Sequence, residues 1–320
     1  MTDLSRRTLL GAATVPALPL AATAAPSSSR SPSDSRTPTA RPSGRATLTW
    51  LGNAGWRVEG TGSVTLVDPY VTRFDTGLSR GAFVPTTRLT VDEQAVARHC
   101  PRADRILVTH SHWDHVADVP AIAARTGATV LGTRTTGFVV RAMGVPATSV
   151  VDVRGGEVLD FGDVVVEVVR SLHSRNARHA ILFPGTMTDV PAAPATIADL
   201  PEGDTLAYVV GASGGPRAYL SGASDADVRA LSDLRPDVAA VPVAAADATH
   251  DYLPRLLEAL DRPRTVVAVH WDDFDAPLGI GERPLDASMA RRLPRFLDEV
   301  RRVSPRSTVL VPRHLQRLPL

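Results

Sequence analysis

The chain has 320 residues, 43% of them hydrophobic, which suffices for one large core or two modest ones. Its 35 basic and 34 acidic residues leave a net charge of +1, which argues against a nucleic-acid partner. The single cysteine, Cys100, excludes an intramolecular disulfide, so a chain that leaves the cytoplasm must find its stability elsewhere; beside an apolar strand it reads as a small core residue rather than a nucleophile or ligand.

Taken in chain order, residues 1–25 carry Ser5-Arg6-Arg7-Thr8-Leu9-Leu10, a mild apolar run and Ala22-Thr23-Ala24. A charged start, an apolar middle and a small-residue end resemble a twin-arginine export signal. The run is too short and too rich in Ala, Gly and Pro for a membrane span, and the mature chain is expected to have no transmembrane helix. That resemblance implies export by the twin-arginine translocase and a secreted or cell-envelope location. Residues 26–44 are crowded with Ser, Pro, Thr and Arg, a composition that reads as a disordered linker. The remaining 45–320 reads as one folded domain.

Within it, LTWLG, WRVEG and VTLVD predict opening strands, the third ending at Asp68-Pro69. A helix is expected over 91–99, a buried strand over 105–108 running into Thr109-His110, and helices over 117–125 and 133–143, the second stopped by Gly144. A strand-rich section to His173 follows, then strands at 205–211 and 217–220 joined by a glycine turn. A helix over 225–233 with Asp225 as its N-cap, a strand at 237–243, a helix over 251–260 and a strand at 264–269 lead into His270. Strand clusters separated by helices predict two sheets inside with helices outside.

Chemistry concentrates in His110-Ser111-His112-Trp113-Asp114-His115, three histidines and an aspartate on a loop between a strand and a helix. Imidazole and carboxylate are donors that divalent zinc accepts at neutral pH, and a solvated loop would rarely gather them so densely. The spacing His-x-His-x-Asp-His is similar to the signature of the metallo-β-lactamase superfamily. Asp68 after an early strand, His173 in Ser-Leu-His-Ser, and His270 after a late strand match that family's further motifs in order. The opening LTWLGNAGWRVEG resembles the branch of ascorbate-phosphate lactonases and of the phospholipase D acting on N-acyl phosphatidylethanolamines.

This resemblance implies an α/β fold, a four-layer αββα sandwich in a single domain, and a metal-dependent hydrolase. It implies one metal on His110, His112 and His173, and a second on Asp114, His115 and His270, with Asp68 behind the ligands. Asp114 and His115 are also the candidate catalytic pair. Zinc, one or two ions, is the expected cofactor, with Mn2+ or Fe2+ as alternatives. On such a metal a water loses its proton near pH 7 and attacks a small ester, lactone or phosphate ester. The family's bridging aspartate is replaced, in Ser221-Gly222-Ala223-Ser224-Asp225, by Ala223. Either a hydroxide or substrate oxygen alone bridges two metals, or the second site is weakened, or Asp225 substitutes; a silent binding protein on the same scaffold, or a β-lactamase, are the alternative functions. Arg178 and His179 are candidates for substrate anion or surface charge, His250 and Asp251 for the pocket or a helix cap, and Asp272 and Asp273 for support of the site or a solvated loop. His99 and His314 are expected to be structural, and segments 70–90 and 184–204 to form the pocket rims.

Overall fold

The computed structural model describes residues 45–320, so the export signal and linker expected at 1–44 lie outside the described residues. Two seven-stranded sheets organise the chain. The first begins with β1 (Thr47–Trp50), β2 (Trp56–Glu59) and β3 (Val64–Val67), antiparallel neighbours joined by tight turns. From β3 onward its pairing is parallel. Here α1 (Glu93–His99) precedes β4 (Arg105–Leu107), then α2 (Trp113–Val116) and α3 (Val119–Thr126) precede β5 (Thr129–Gly132), and α4 (Arg134–Ala142) precedes β6 (Val150–Asp152). The second sheet reverses that plan in register. Its antiparallel part is β7 (Val158–Asp160), β8 (Val164–Arg170), β9 (Leu206–Ala212) and β10 (Arg217–Ser221). Its parallel part continues through β11 (Val238–Pro242), α5 (Tyr252–Ala259), β12 (Thr265–Val269), α6 (Ala287–Val303) and β13 (Thr308–Leu310). A last strand, β14 (Arg317–Pro319), returns to pair with β1.

Burial explains the layering. β9 is buried at every position, as a strand covered on both faces must be, whereas β2 alternates buried and half-buried residues. Leu48, Trp50, Trp56 and Val58 of the first sheet meet Val166, Tyr208 and Leu220 of the second, and Leu256, Leu257, Phe296 and Val300 from α5 and α6 extend the same core. A second core joins Leu66, Ile106 and Val130 to Val96, Ile122 and Val139 of α1, α3 and α4. The result is the expected αββα sandwich. Cys100 is buried in that second core, and burial pushes its thiol up to about 12, so it is an inert core residue.

Local chemistry sets most helix ends as expected. Asp92 caps α1 by accepting from the amides of Gln94 and Ala95, and Thr133 caps α4 through Thr136. The helix expected over 225–233 is absent. That stretch is a series of turns, with Ala230 N donating to Asp227 O and Leu234 N to Leu231 O. The reason lies at Asp225, whose backbone is drawn into an antiparallel bridge with Leu172 and whose carboxylate is taken by Arg255 at 3.0 Å. In exchange, α6 was not anticipated. Its apolar face, Met289, Phe296 and Val300, is interrupted in sequence by Pro294, which the helix nevertheless contains. Among the described residues no helix is long and apolar enough to cross a membrane.

Candidate metal centre

The strands deliver their side chains at one end of the sandwich, where carboxyl ends of parallel strands open toward ligands in α/β folds. Asp68 follows β3, the motif 110–115 follows β4, Gly222 and Ala223 follow β10, His270 follows β12, and His173 follows β8. Two donor groups result, His110 with His112 and His173, and Asp114 with His115 and His270; within each, the potential ligand atoms lie within 4.8 Å of one another. Each group takes two residues from the first sheet's motif and one from the second sheet.

The first group is specified atom by atom. His173 Nδ1 donates to the Ser174 carbonyl at 2.7 Å, and His112 Nε2 donates to the Leu182 carbonyl at 2.7 Å. Thr109 Oγ1 gives its proton to Asp68 Oδ2 at 2.6 Å and so accepts from His110 Nδ1 at 3.1 Å. These bonds assign the tautomers, and they leave a lone pair on His173 Nε2, His112 Nδ1 and His110 Nε2. Those three nitrogens then face each other at 3.1, 3.1 and 3.2 Å. Three converging lone pairs repel and make no hydrogen bond; a divalent cation is the partner that satisfies all three, and the fit to such an ion is good. Burial holds all three as neutral imidazoles, His110 well below its usual pKa, His112 at about 4 and His173 at about 3.

The second group is more polar and less completely oriented. Burial alone would raise Asp114, but His115 and His270 beside it hold the carboxyl well below its usual range. Asn53 Nδ2 donates both to the Asp114 backbone carbonyl at 2.9 Å and to its Oδ2 at 3.2 Å. Burial opposes charge on His115, yet Asp114 and Asp68 on its two sides push it up to about 10. Its Nδ1 donates to Asp68 at 2.8 Å, leaving Nε2 toward Asp114 at 3.5 Å. His270 puts Nε2 at 3.3 Å from the same oxygen, but its Nδ1 is buried without a hydrogen-bond partner among the described residues. Nothing there selects its tautomer. Asp68 therefore bonds toward both groups, through Thr109 and His115, and it also accepts the Thr109 amide at 2.7 Å.

Ala223 lines the same cavity as all six candidate ligands and offers it only a methyl group. Asp225, paired with Arg255, faces a neighbouring cavity and does not replace the missing carboxylate. That cavity over the ligands, about 360 Å3, is walled by Leu78, Phe83, Leu182, Phe274 and Leu285. The rim expected over 70–90 is thus present, whereas its counterpart comes from 174–182 rather than 184–204. His250 and His179 are exposed, the former against Asp251.

Around the site, Asn53 and Asp118 carried no signal in sequence, whereas Asp272 was expected either to support the site or to lie in a solvated loop, and it is buried. Asp272 is fully buried, held low by Arg73 at 2.8 Å and His314 at 2.8 Å, and it accepts the Asn53 amide at 2.9 Å. His314 is thus structural, but its structure reaches the site. Asp118 accepts the amides of Val71 and Thr72 at 2.6 and 2.8 Å, tying the loop after β3 to the histidine motif. Gly222 packs so tightly that a Cβ there would sit 2.2 Å from Thr109 Oγ1 and 3.0 Å from Asp68 Oδ2.

Comparison with known proteins agrees with this geometry. Residues 47–270 match the family described as beta-lactamase superfamily domain. A protein of Anaeromyxobacter sp. (strain K) named a metal-dependent hydrolase is 29% identical over 247 residues, covering 75% of this chain and 79% of that protein. Among solved structures, the metallo hydrolase Igni18 of Ignicoccus hospitalis superposes with a TM-score of 0.55 at 19% identity, over 86% of this chain and 98% of that one. An isothiocyanate hydrolase from Delia radicum gut bacteria gives 0.53 at 17%, over 85% and 98%. At these identities the structural likeness speaks for the fold alone.

Proposed function

The chain belongs to the beta-lactamase superfamily and is a metal-dependent hydrolase, and on that premise we propose that it cleaves a small ester, lactone or phosphate ester. The observation that carries the reading is the convergence of three histidine lone pairs whose tautomers are all set from behind. His110, His112 and His173 hold the tighter metal, zinc by the donor set, with Mn2+ or Fe2+ as the alternatives. Asp114, His115 and His270 hold a second one more weakly, because Ala223 contributes no bridging charge and His270 is not oriented. A divalent ion supplies Lewis acidity and an acidified water.

The chain's own residues do the rest. Asp114, ionised and fixed by Asn53, is placed to take up a proton, and His115, whose Nδ1 is held by Asp68, turns its Nε2 toward it. Thr109 and Asp68 keep His110 and His115 in the required tautomers. The apolar wall excludes bulk water and seats an uncharged portion of the substrate. The reading extends to export through the twin-arginine signal at 1–25, a linker at 26–44 and a catalytic domain at 45–320, which the N-terminal sequence of the secreted protein would test.

Elemental analysis of the purified protein tests the metal assignment. We expect about one tightly held metal per chain, a second gained in Ala223→Asp, and loss of the first in His173→Ala. Hydrolysis of p-nitrophenyl esters, a lactone and bis-p-nitrophenyl phosphate should follow metal content. No metal in any form after loading would leave a silent binding scaffold instead.

A further inference from the structure

A cavity of about 600 Å3 adjoins the ligand-bearing one, and His173 and Arg175 stand in the walls of both. Arginine dominates its charged lining. Arg134 opens α4, Arg154 lies between β6 and β7, Arg170 ends β8, and Arg175 follows His173 by two positions. Arg134 has a ring contact with Phe138, and Arg175 donates to the His179 carbonyl at 2.8 Å, but none of the four has an ion-pair partner among the described residues. Of the carboxylates in the same wall, Asp225 is paired with Arg255 at 3.0 Å, whereas Glu202, which accepts only the neutral Thr205 hydroxyl at 2.5 Å, and Asp204 keep their charge. Four guanidinium groups around one concavity, set against two carboxylates without an arginine partner among the described residues, leave an excess of positive charge that favours an anionic guest. The planar fork of arginine matches a carboxylate or a phosphate.

We propose that this cavity is the subsite for a carboxylate or phosphate group carried by the substrate. The bond to be cleaved then lies past His173 in the adjoining cavity, among Leu78, Phe83, Leu182 and Phe274. The substrate class is an amphiphilic anionic ester, apolar beside the scissile bond and charged at its far end. This assignment of the guest rests on the hydrolase reading, whereas the anion affinity of the cavity does not.

Calorimetric titration of the metal-loaded protein with inorganic phosphate, and separately with glutarate, tests the cavity directly. The variants are Arg154→Ala/Arg170→Ala and, as a control on the exposed face of α6, Arg301→Ala. We expect wild type to bind at least one anion, with affinity falling as salt is added, and the double variant to bind it about tenfold more weakly while Arg301→Ala is unchanged. The anion that binds tells phosphate from carboxylate. Arg154 and Arg170 are exposed, and wild-type thermal unfolding of the double variant checks that it folds; Arg154→Gln, expected to weaken binding about threefold, is the milder second variant. Equal affinity in wild type and variants, or no binding of either anion to wild type, overturns the proposal. With mono-p-nitrophenyl glutarate and p-nitrophenyl butyrate, the double variant should raise KM about tenfold for the anionic ester only, with kcat preserved. Equal rises for both esters would overturn the assignment of the subsite to the substrate. Failure to turn over either ester would count against the hydrolase reading, and the titration would still decide the subsite.

Discussion

Gly222→Ala separates the supporting layer of the metal centre from the ligands themselves, since position 222 donates no ligand atom. The added Cβ would stand 2.2 Å from Thr109 Oγ1, 3.0 Å from Asp68 Oδ2 and 3.1 Å from His115 Cε1. An ordinary carbon–oxygen contact is about 3.5 Å, so the overlap with Thr109 exceeds about 1 Å and must be relieved by movement. The hydroxyl cannot move without loosening its 2.6 Å bond to Asp68 and its 3.1 Å contact with His110. Overpacking of this kind costs about 1–3 kcal/mol of stability, and disturbing the groups that orient ligating histidines lowers metal affinity by about 10–100-fold. The affinity should be measured by competition with a chromophoric chelator, alongside thermal unfolding of the chelator-treated protein. Gly62→Ala, whose Cβ meets nothing closer than 3.8 Å, is the control and should change stability by less than about 0.5 kcal/mol. Wild-type metal affinity in Gly222→Ala would refute the argument that Thr109 and Asp68 set the histidine tautomers.

Asp272→Asn leaves the fully buried Arg73 without its counter-charge, and we expect a loss of about 3–5 kcal/mol in denaturant unfolding, with less than about 1 kcal/mol speaking against the buried pair. For the chelator-treated protein the pH dependence has two signs. His112 and His173, at about 4 and 3 when folded, contribute stability that is present above about 6.5 and lost on acidification, each with a slope of about 1.4 kcal/mol per pH unit. His115, at about 10, contributes stability that is full below about 6.5 and lost as pH rises toward 10. The chelator-treated protein should therefore unfold at its highest temperature near pH 6.5, and a flat profile between pH 5 and 9 would contradict these assignments. In the metal-loaded protein, acidification should release the second metal before the first, because Ala223 gives the second group no bridging charge and His270 is not oriented; simultaneous release in a dialysis series would refute it.

The candidate donors were legible because their chemistry is compressed. Six residues carry four of the six donors, and the last two, His173 and His270, sit at the ends of strands whose apolar runs are unambiguous. Apart from Asp68 and Asp272, which the sequence offered as candidates, what lies behind them was not legible, because it is assembled across the chain. Asn53 reaches Asp114 over 61 positions and Asp272 over 219, and nothing in LGNAGW distinguishes that asparagine from a turn residue. Asp118 looks like one more polar helix residue until its bonds to Val71 and Thr72, 47 and 46 positions away, are seen. The two errors in helix placement share a cause. At 225–233 local spacing favoured a helix that strand pairing at Asp225 and the pull of Arg255 forbid, while in α6 Pro294 hid an apolar face that packing on the second sheet secures.

Because neither sheet owns a complete donor set, a bound ion would act as a rivet through both halves of the sandwich. Its grip is then a gauge of how the halves are seated. Substitutions deep among Leu48, Val58 and Val166, none of which supplies a donor, should loosen the metal by letting the sheets slide, before they unfold the chain. During synthesis the first half emerges with two donors of each trio and no third, so it can hold an ion only loosely until β8 and β12 arrive. Metal capture is in that sense the last inspection of assembly, passed only by a chain whose two sheets have already met.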